Sequence, residues 1–227
     1  MKRTNLGLSL LAILIFSSGS ALAQVEQVTS MTVSNPAAFI ANIDYYLASG
    51  EAQAQSVTVL RHLHDGTDPS THTVVAIFDD LEALESSMDS RAKSAAWAAV
   101  GRGGASISTI NSSALAIQRQ TWGETSWEAG DYLAAVLLNA SDQATWIAAV
   151  DKMMGSIKIK KPGMFRIVRL RGGPSTHAVL IVASSYAELI TFMERLEMSD
   201  EFATMRSASE TKVVGTTIYK VAKVWNP

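Results

Sequence analysis

Along the segment 35–50, "NPAAFIANIDYYLASG", apolar side chains fall at Phe39, Ile40, Ile43, Tyr46 and Leu47. That i, i+1, i+4, i+7, i+8 spacing lays one stripe along a helix of 3.6-residue period. Asn35 suits the N-cap, Pro36 the first helical position and Gly50 the far end. The same five places recur 107 residues later as Trp146, Ile147, Val150, Met153 and Met154, with Ser141 or Asp142 as the cap. One pattern is written twice.

After each helix come two β-branched runs bounded by Gly, Pro and Asp, which predicts a hairpin. "SVTVLRHLHDG" (56–66) aligns with "MFRIVRLRGG" (164–173) at the same offset of 107, apart from its first residue. "STHTVVAIFDD" (70–80) aligns with "STHAVLIVASS" (175–185) at 105, so the first hairpin loop is longer by two residues. A second helix opens at "DDLEALESSM" and at "SSYAELITFM", and beyond it Trp97 aligns with Phe202. Each half closes on a strand, "ALAIQRQTW" (114–122) or "TIYKVAKVW" (217–225), and opens on "QVTSMTVS" or "DYLAAVLLN".

The fold class is therefore α+β, with two ferredoxin-like β-α-β-β-α-β repeats at 24–122 and 131–227 and a linker at 123–130. A sheet with helices on one face leaves its other face in need of cover. Packing the two sheets against each other inside one chain supplies that cover and predicts a monomer.

This element order, with "SAAWAAV" and "SDEFATM" continuing the second helix of each half, resembles the dimeric α+β barrel superfamily. It is most similar to the antibiotic-biosynthesis-monooxygenase branch, here as a tandem fusion over nearly all of the chain after residue 23. The resemblance implies an intramolecular barrel that binds a small apolar or aromatic molecule. It also brings a range of activities: cofactor-independent oxygenases of aromatic compounds, haem-degrading and chlorite-degrading enzymes, cyclases and members without catalysis. Trp97 and Phe202 take the place of the aromatic residue lining the ligand pocket. Haem-degrading members carry a histidine about one turn further on; here those places are Gly101 and Arg206. That departure argues against haem ligation, and no cofactor is expected.

Composition narrows the picture. "MKRTN", an apolar run to Phe16 and "SSGSALA" have the charged, apolar and cleavable layout of a secretory signal peptide, with cleavage expected after Ala23. The run is short for a bilayer span, so a soluble periplasmic or secreted protein is expected, free of the membrane once cleaved. The chain has no cysteine, which excludes disulfides, thiol nucleophiles and thiolate metal sites. Residues 24–122 carry 5 Lys/Arg and 10 Asp/Glu, and residues 123–227 carry 12 and 11. Neither half has the strong positive charge of a nucleic-acid surface, and "KIKK" (158–161) reads as a solvated loop.

Candidate chemistry is sparse. Alternation places Thr58, Leu60, His62 and His64 on one strand face, and His72 opens the next strand. These three imidazoles could meet at the hairpin loop as proton donors and acceptors, or as a metal site with an open position. At the 107 offset the second half has Phe165, Ile167, Arg169 and Arg171 in the corresponding places, with His177 matching His72. Two arginines there suit a carboxylate better than a metal, so no metal site is assigned. Ligand contacts are expected from Trp97, Phe202, Arg169, Arg171 and His177. "GRGGASISTINSS" (101–113) follows a helix and lacks a terminal Gly-Lys-Ser/Thr, so it reads as a flexible connection or lid rather than a phosphate loop. No motif demands catalysis. A structural or interaction module, and a metal- or haem-binding protein, remain the competing classes.

Overall fold

The computed structural model describes residues 24–66, 68–157 and 163–226. The expected signal segment (1–23) and "KIKK" lie outside the described residues. The first half runs β1 (Val25–Val33), α1 (Pro36–Ala48), β2 (Ser56–His64), β3 (His72–Phe78), α2 (Leu81–Lys93), α3 (Ala95–Gly104) and β4 (Ser108–Gly123). The second runs β5 (Tyr132–Ala140), α4 (Gln143–Ser156), β6 (Met164–Arg171), β7 (His177–Ala183), α5 (Tyr186–Glu197), α6 (Asp200–Ala208) and β8 (Thr211–Trp225).

Local chemistry sets the helix boundaries. The side chains of Asn35, Asp80, Asp142 and Ser185 each accept a hydrogen bond from a backbone N–H in the first turn, satisfying donors that a helix start leaves open. The second helix of each half breaks in two. Ser94 ends α2 in an extended conformation and caps α3 through Trp97 N–H, and Ser199 caps α6 through Phe202 N–H. The break lays α3 against α1 and α6 against α4.

The eight strands of the described residues form one closed antiparallel barrel in the order β1-β3-β2-β8-β5-β7-β6-β4, completed by β4 on β1. The halves do more than pack face to face. β4 pairs with β1 through its first part and with β6 through its last, and β8 does the same with β5 and β2. Closure removes every sheet edge that could recruit another chain. It also requires long strands, so residues 108–113, read from sequence as part of a lid, are the start of β4. Its ladder to β1 takes up the backbone groups that a lid would leave to water.

Apolar residues sort into layers. Trp146, Val150, Phe165, Ile167, Ile181 and Leu189 fill the space between sheet and helices in the second half, and smaller clusters around Phe78 and Phe39 do so in the first. The barrel interior is filled by Leu60, Val75, Leu133, Met164, Val168 and Tyr219, together with Trp127 from the connecting segment. Trp127 is buried and donates from Nε1 to Thr58 Oγ1 at 2.9 Å, so that segment is a plug as well as a link. Beside it Arg166 and Glu26 form a buried ion pair at 2.9 Å, joining β6 of one half to β1 of the other. Arg166 also donates to the Thr125 carbonyl and lies 5.5 Å over the Trp127 ring.

Candidate functional site

The register of the two hairpins overturns one expectation. Arg61 pairs with His72, and Arg169 pairs with His177, so Arg61 and Arg169 are the equivalent residues. The true offset between β2 and β6 is 108, and the first hairpin loop is longer by three residues. One residue of slip exchanges the two faces of a strand. His62 therefore corresponds to Leu170, not to Arg169. Thr58 and Leu60 face the barrel interior, whereas Phe165 and Ile167 face the helices.

The three histidines of the first half do not meet. His62 points into the barrel, where its Nδ1 lies 3.0 Å from Asp65 Oδ2 and its Nε2 2.8 Å from Thr73 Oγ1. Its ring meets Tyr219 edge-on at 4.7 Å. The sequence carboxylate, imidazole, hydroxyl has the form of an acid–base relay, but Thr73 is 2% exposed and is already bonded to Ser30 Oγ. It closes the barrel end. His72 lies on the opposite face, buried against Phe39 of α1, with Nδ1 2.9 Å from Thr71 Oγ1. His64 is exposed and shares a hydrogen bond with the Tyr186 hydroxyl at 3.2 Å. Among the described residues no group of three His, Asp or Glu side chains is arranged to hold a metal ion.

His177 repeats the placing of His72. Its Nδ1 is 2.9 Å from Thr176 Oγ1, its Nε2 is 3.1 Å from Gln143 Oε1, and its ring packs on Trp146 of α4 at 5.1 Å. Each of these two histidines thus backs the aromatic residue with which the first helix of its half lines a cavity. Burial lowers the pKa of both; His62 and Arg61 add to this at His72, as do Arg169 and Arg119 at His177. Arg169 is half-buried beside His177 and Arg171 is exposed; neither is in the lining of the two cavities between helices and sheet.

Two cavities lie between helices and sheet, one in each half, at equivalent places. The first, of about 310 Å³, is walled by Phe39, Ile43, Tyr46, Val57, Phe78 and Trp97 among others. The second, of about 620 Å³, is walled by Trp146, Val150, Met153, Phe165, Phe202 and Met205 among others. Trp97 is in the lining of the first cavity and Phe202 in that of the second.

The chemistry of the first cavity comes from a residue that sequence reading passed over. Arg91 on α2 reaches in from the apolar face that carries Leu84 and Ser87. Its Nη2 donates to Gln27 Oε1 at 3.0 Å, its Nε to the Ser87 carbonyl at 3.3 Å, and its guanidinium lies 5.2 Å over Trp97. Trp97 in turn meets the Tyr46 ring at 5.0 Å. No carboxylate pairs with Arg91 among the described residues, and none lines the cavity. Burial lowers the Arg91 pKa, but arginine stays charged. Burial raises the Tyr46 pKa, an effect that Arg91 partly offsets. An apolar chamber with one uncompensated cation favours an anionic oxygen on an otherwise apolar guest.

The second cavity keeps its charges apart from its apolar floor. Arg206 and Lys212 stand on its lining with Glu197, all three exposed, while Leu196, the counterpart of Arg91, is buried. The lining has no histidine, cysteine or tyrosine and offers only the thioethers of Met153, Met193 and Met205, which hold haem iron together with a histidine. The fit to haem is poor.

No protein-family model and no curated protein matches the sequence. Solved structures do resemble the fold. A candidate monooxygenase from Fusobacterium nucleatum is 12% identical with a TM-score of 0.59, covering 90% of this chain and 95% of that one. An anthrone oxidase-like protein is 14% identical with a TM-score of 0.56, covering 89% and 93%. A haem-binding protein from Thermus thermophilus is 9% identical with a TM-score of 0.51, covering 88% and 91%. At such identity the likeness concerns the fold alone: this chain has the architecture of the dimeric α+β barrel proteins.

Proposed function

We propose that this protein is an exported binder of small aromatic acids, held in the first cavity with their carboxylate or phenolate on Arg91. The observation that supports it most is the cation itself, set in an apolar chamber without a carboxylate partner among the described residues. A void of about 150 Å³ holds one benzene ring, so about 310 Å³ suits two fused rings and a head group. Trp97 and Tyr46 offer ring edges and faces to such a guest. In this reading the chain arose by tandem duplication of one ferredoxin-like unit, with units at 24–122 and 131–227. It is released after Ala23 into the periplasm or medium, and it works as a monomer because its barrel is complete within one chain.

The test is a thermal-shift panel of naphthoates and hydroxynaphthoates against their neutral amides. Acids should raise the melting temperature and amides should not, and Arg91→Leu should remove the difference. Equal stabilisation by acids and amides would sink the reading. Turnover is a second reading, favoured by the monooxygenase and oxidase names among the structural relatives. The first cavity is lined by neither histidine nor carboxylate, and burial raises the pKa of its Tyr46 hydroxyl, so it offers no ready general base near neutral pH. A substrate would have to arrive already ionised, and binding without turnover is the stronger reading.

A further inference from the structure

The second cavity is too large and too differently furnished to serve the same guest. Its floor, formed by Trp146, Phe165, Val179 and Ile181, is apolar and buried or nearly so. Its polar lining is confined to the end of α5, to α6 and to β8, where Glu197, Arg206 and Lys212 stand. Arg206 stacks on Phe202 at 5.9 Å, and neither it nor Lys212 pairs with a carboxylate among the described residues. With Glu197 counted, this rim carries net positive charge. Met153, Met193 and Met205 line the walls, and thioether side chains adapt to guests of variable shape.

An apolar chamber with all its charge at one end matches an amphiphile, not a compact aromatic acid. We infer that the second cavity is a site for a long-chain fatty acid, its chain laid over Trp146 and Phe165 and its carboxylate between Arg206 and Lys212. The volume of about 620 Å³ is within the range of ligand-sized cavities, and the flexible chain is the guest that methionine walls accommodate best. The site is independent of Arg91, so it stands or falls apart from the reading of the first cavity.

The experiment uses dibromostearate, whose bromines quench indole fluorescence on contact. The full chain without its signal segment should show saturable quenching. In Trp146→Phe the acid should still bind by calorimetry while most of the quenching disappears. Arg206→Gln with Lys212→Gln, both at exposed positions and checked by circular dichroism, should weaken binding about fivefold to tenfold. The methyl ester should bind the unaltered protein as weakly as the acid binds that double variant. Arg91→Leu should leave the affinity for dibromostearate and its quenching of Trp146 as they are in the unaltered protein. Absence of binding, undiminished quenching in Trp146→Phe, or unchanged affinity in the double variant would each overturn the proposal. So would loss of binding in Arg91→Leu, which would move the acid to the first cavity.

Discussion

The two cavities occupy the same place in the two halves, yet their charges lie at opposite ends. In the first, Gln27, Tyr46 and Arg91 bring polar atoms to the inner wall. Their counterparts in the second are Ala134, Met153 and Leu196, all buried and apolar. At the rim the order inverts, with Gly101 in the first half and Arg206 in the second. The scaffold depends on apolar positions that pack sheet against helix, and both halves keep them. Polar side chains can differ around that scaffold: the first half has a cation at the inner wall, the second at the rim. An inward cation costs desolvation, and that cost persists where the protein supplies no carboxylate. A ligand anion would offset it.

The buried pair between the halves offers the harshest way to break the comparison. Burial raises the Glu26 pKa while Arg166 pulls it back. Arg166→Met leaves an unpaired buried carboxylate beneath Trp127 and should cost about 3–5 kcal/mol in denaturant unfolding. Both cavities should fail together, because the pair ties β1 to β6. Replacing both residues, as Glu26→Leu with Arg166→Met, should recover most of the loss; no recovery would mean that packing around Trp127 matters more than charge.

Arg91→Leu gives the first cavity the side chain that the second has at that place. Naphthoate affinity should fall by about 2 kcal/mol, roughly thirtyfold, in calorimetry. Stability should move the other way, with a melting temperature higher by about 2–4 °C once the desolvated cation is gone. A variant that loses both affinity and stability would show Arg91 to be a structural residue. Smaller effects separate the aromatic walls. Trp97→Ala should weaken naphthoate by about 1 kcal/mol, and Phe202→Ala should leave it unchanged.

The smallest expected effect concerns the histidines behind each cavity. Their folded pKa values lie below the ordinary 6.5. Between the folded and unfolded values the unfolded chain binds more protons, so this contribution is full above about pH 6.5 and is lost as pH falls. His72→Asn with His177→Asn should flatten the stability profile below pH 6.5, measured by denaturant midpoints. An unchanged slope would assign the acid sensitivity to other groups.

The architecture was legible in the sequence because helical stripes, caps and hairpin punctuation are local, and each half states them. Trp97 and Phe202 were legible through their matching places. The strand register was not. A one-residue slip between 107 and 108 leaves the runs of apolar residues looking aligned while exchanging their faces, and only the match of Arg61 to Arg169 hints at the better choice. Arg91 was missed because an arginine in the last turn of a helix is ordinarily explained by the helix dipole and solvent. Its position four residues after Ser87 and seven after Leu84 put it on the buried stripe all along. Trp127 lay in a stretch that Gly and Glu mark as a linker, and its burial depends on barrel closure, which no local pattern encodes.

The central claim is that the first cavity takes the aromatic acid and that Arg91 holds it. The most direct measurement is the anomalous signal of a bromonaphthoate soaked into crystals of the protein. One bromine peak should lie within the chamber beside Tyr46 and Trp97, with the carboxylate in hydrogen-bond reach of Arg91. A peak in the second cavity, or a ligand whose carboxylate faces solvent, would contradict the account.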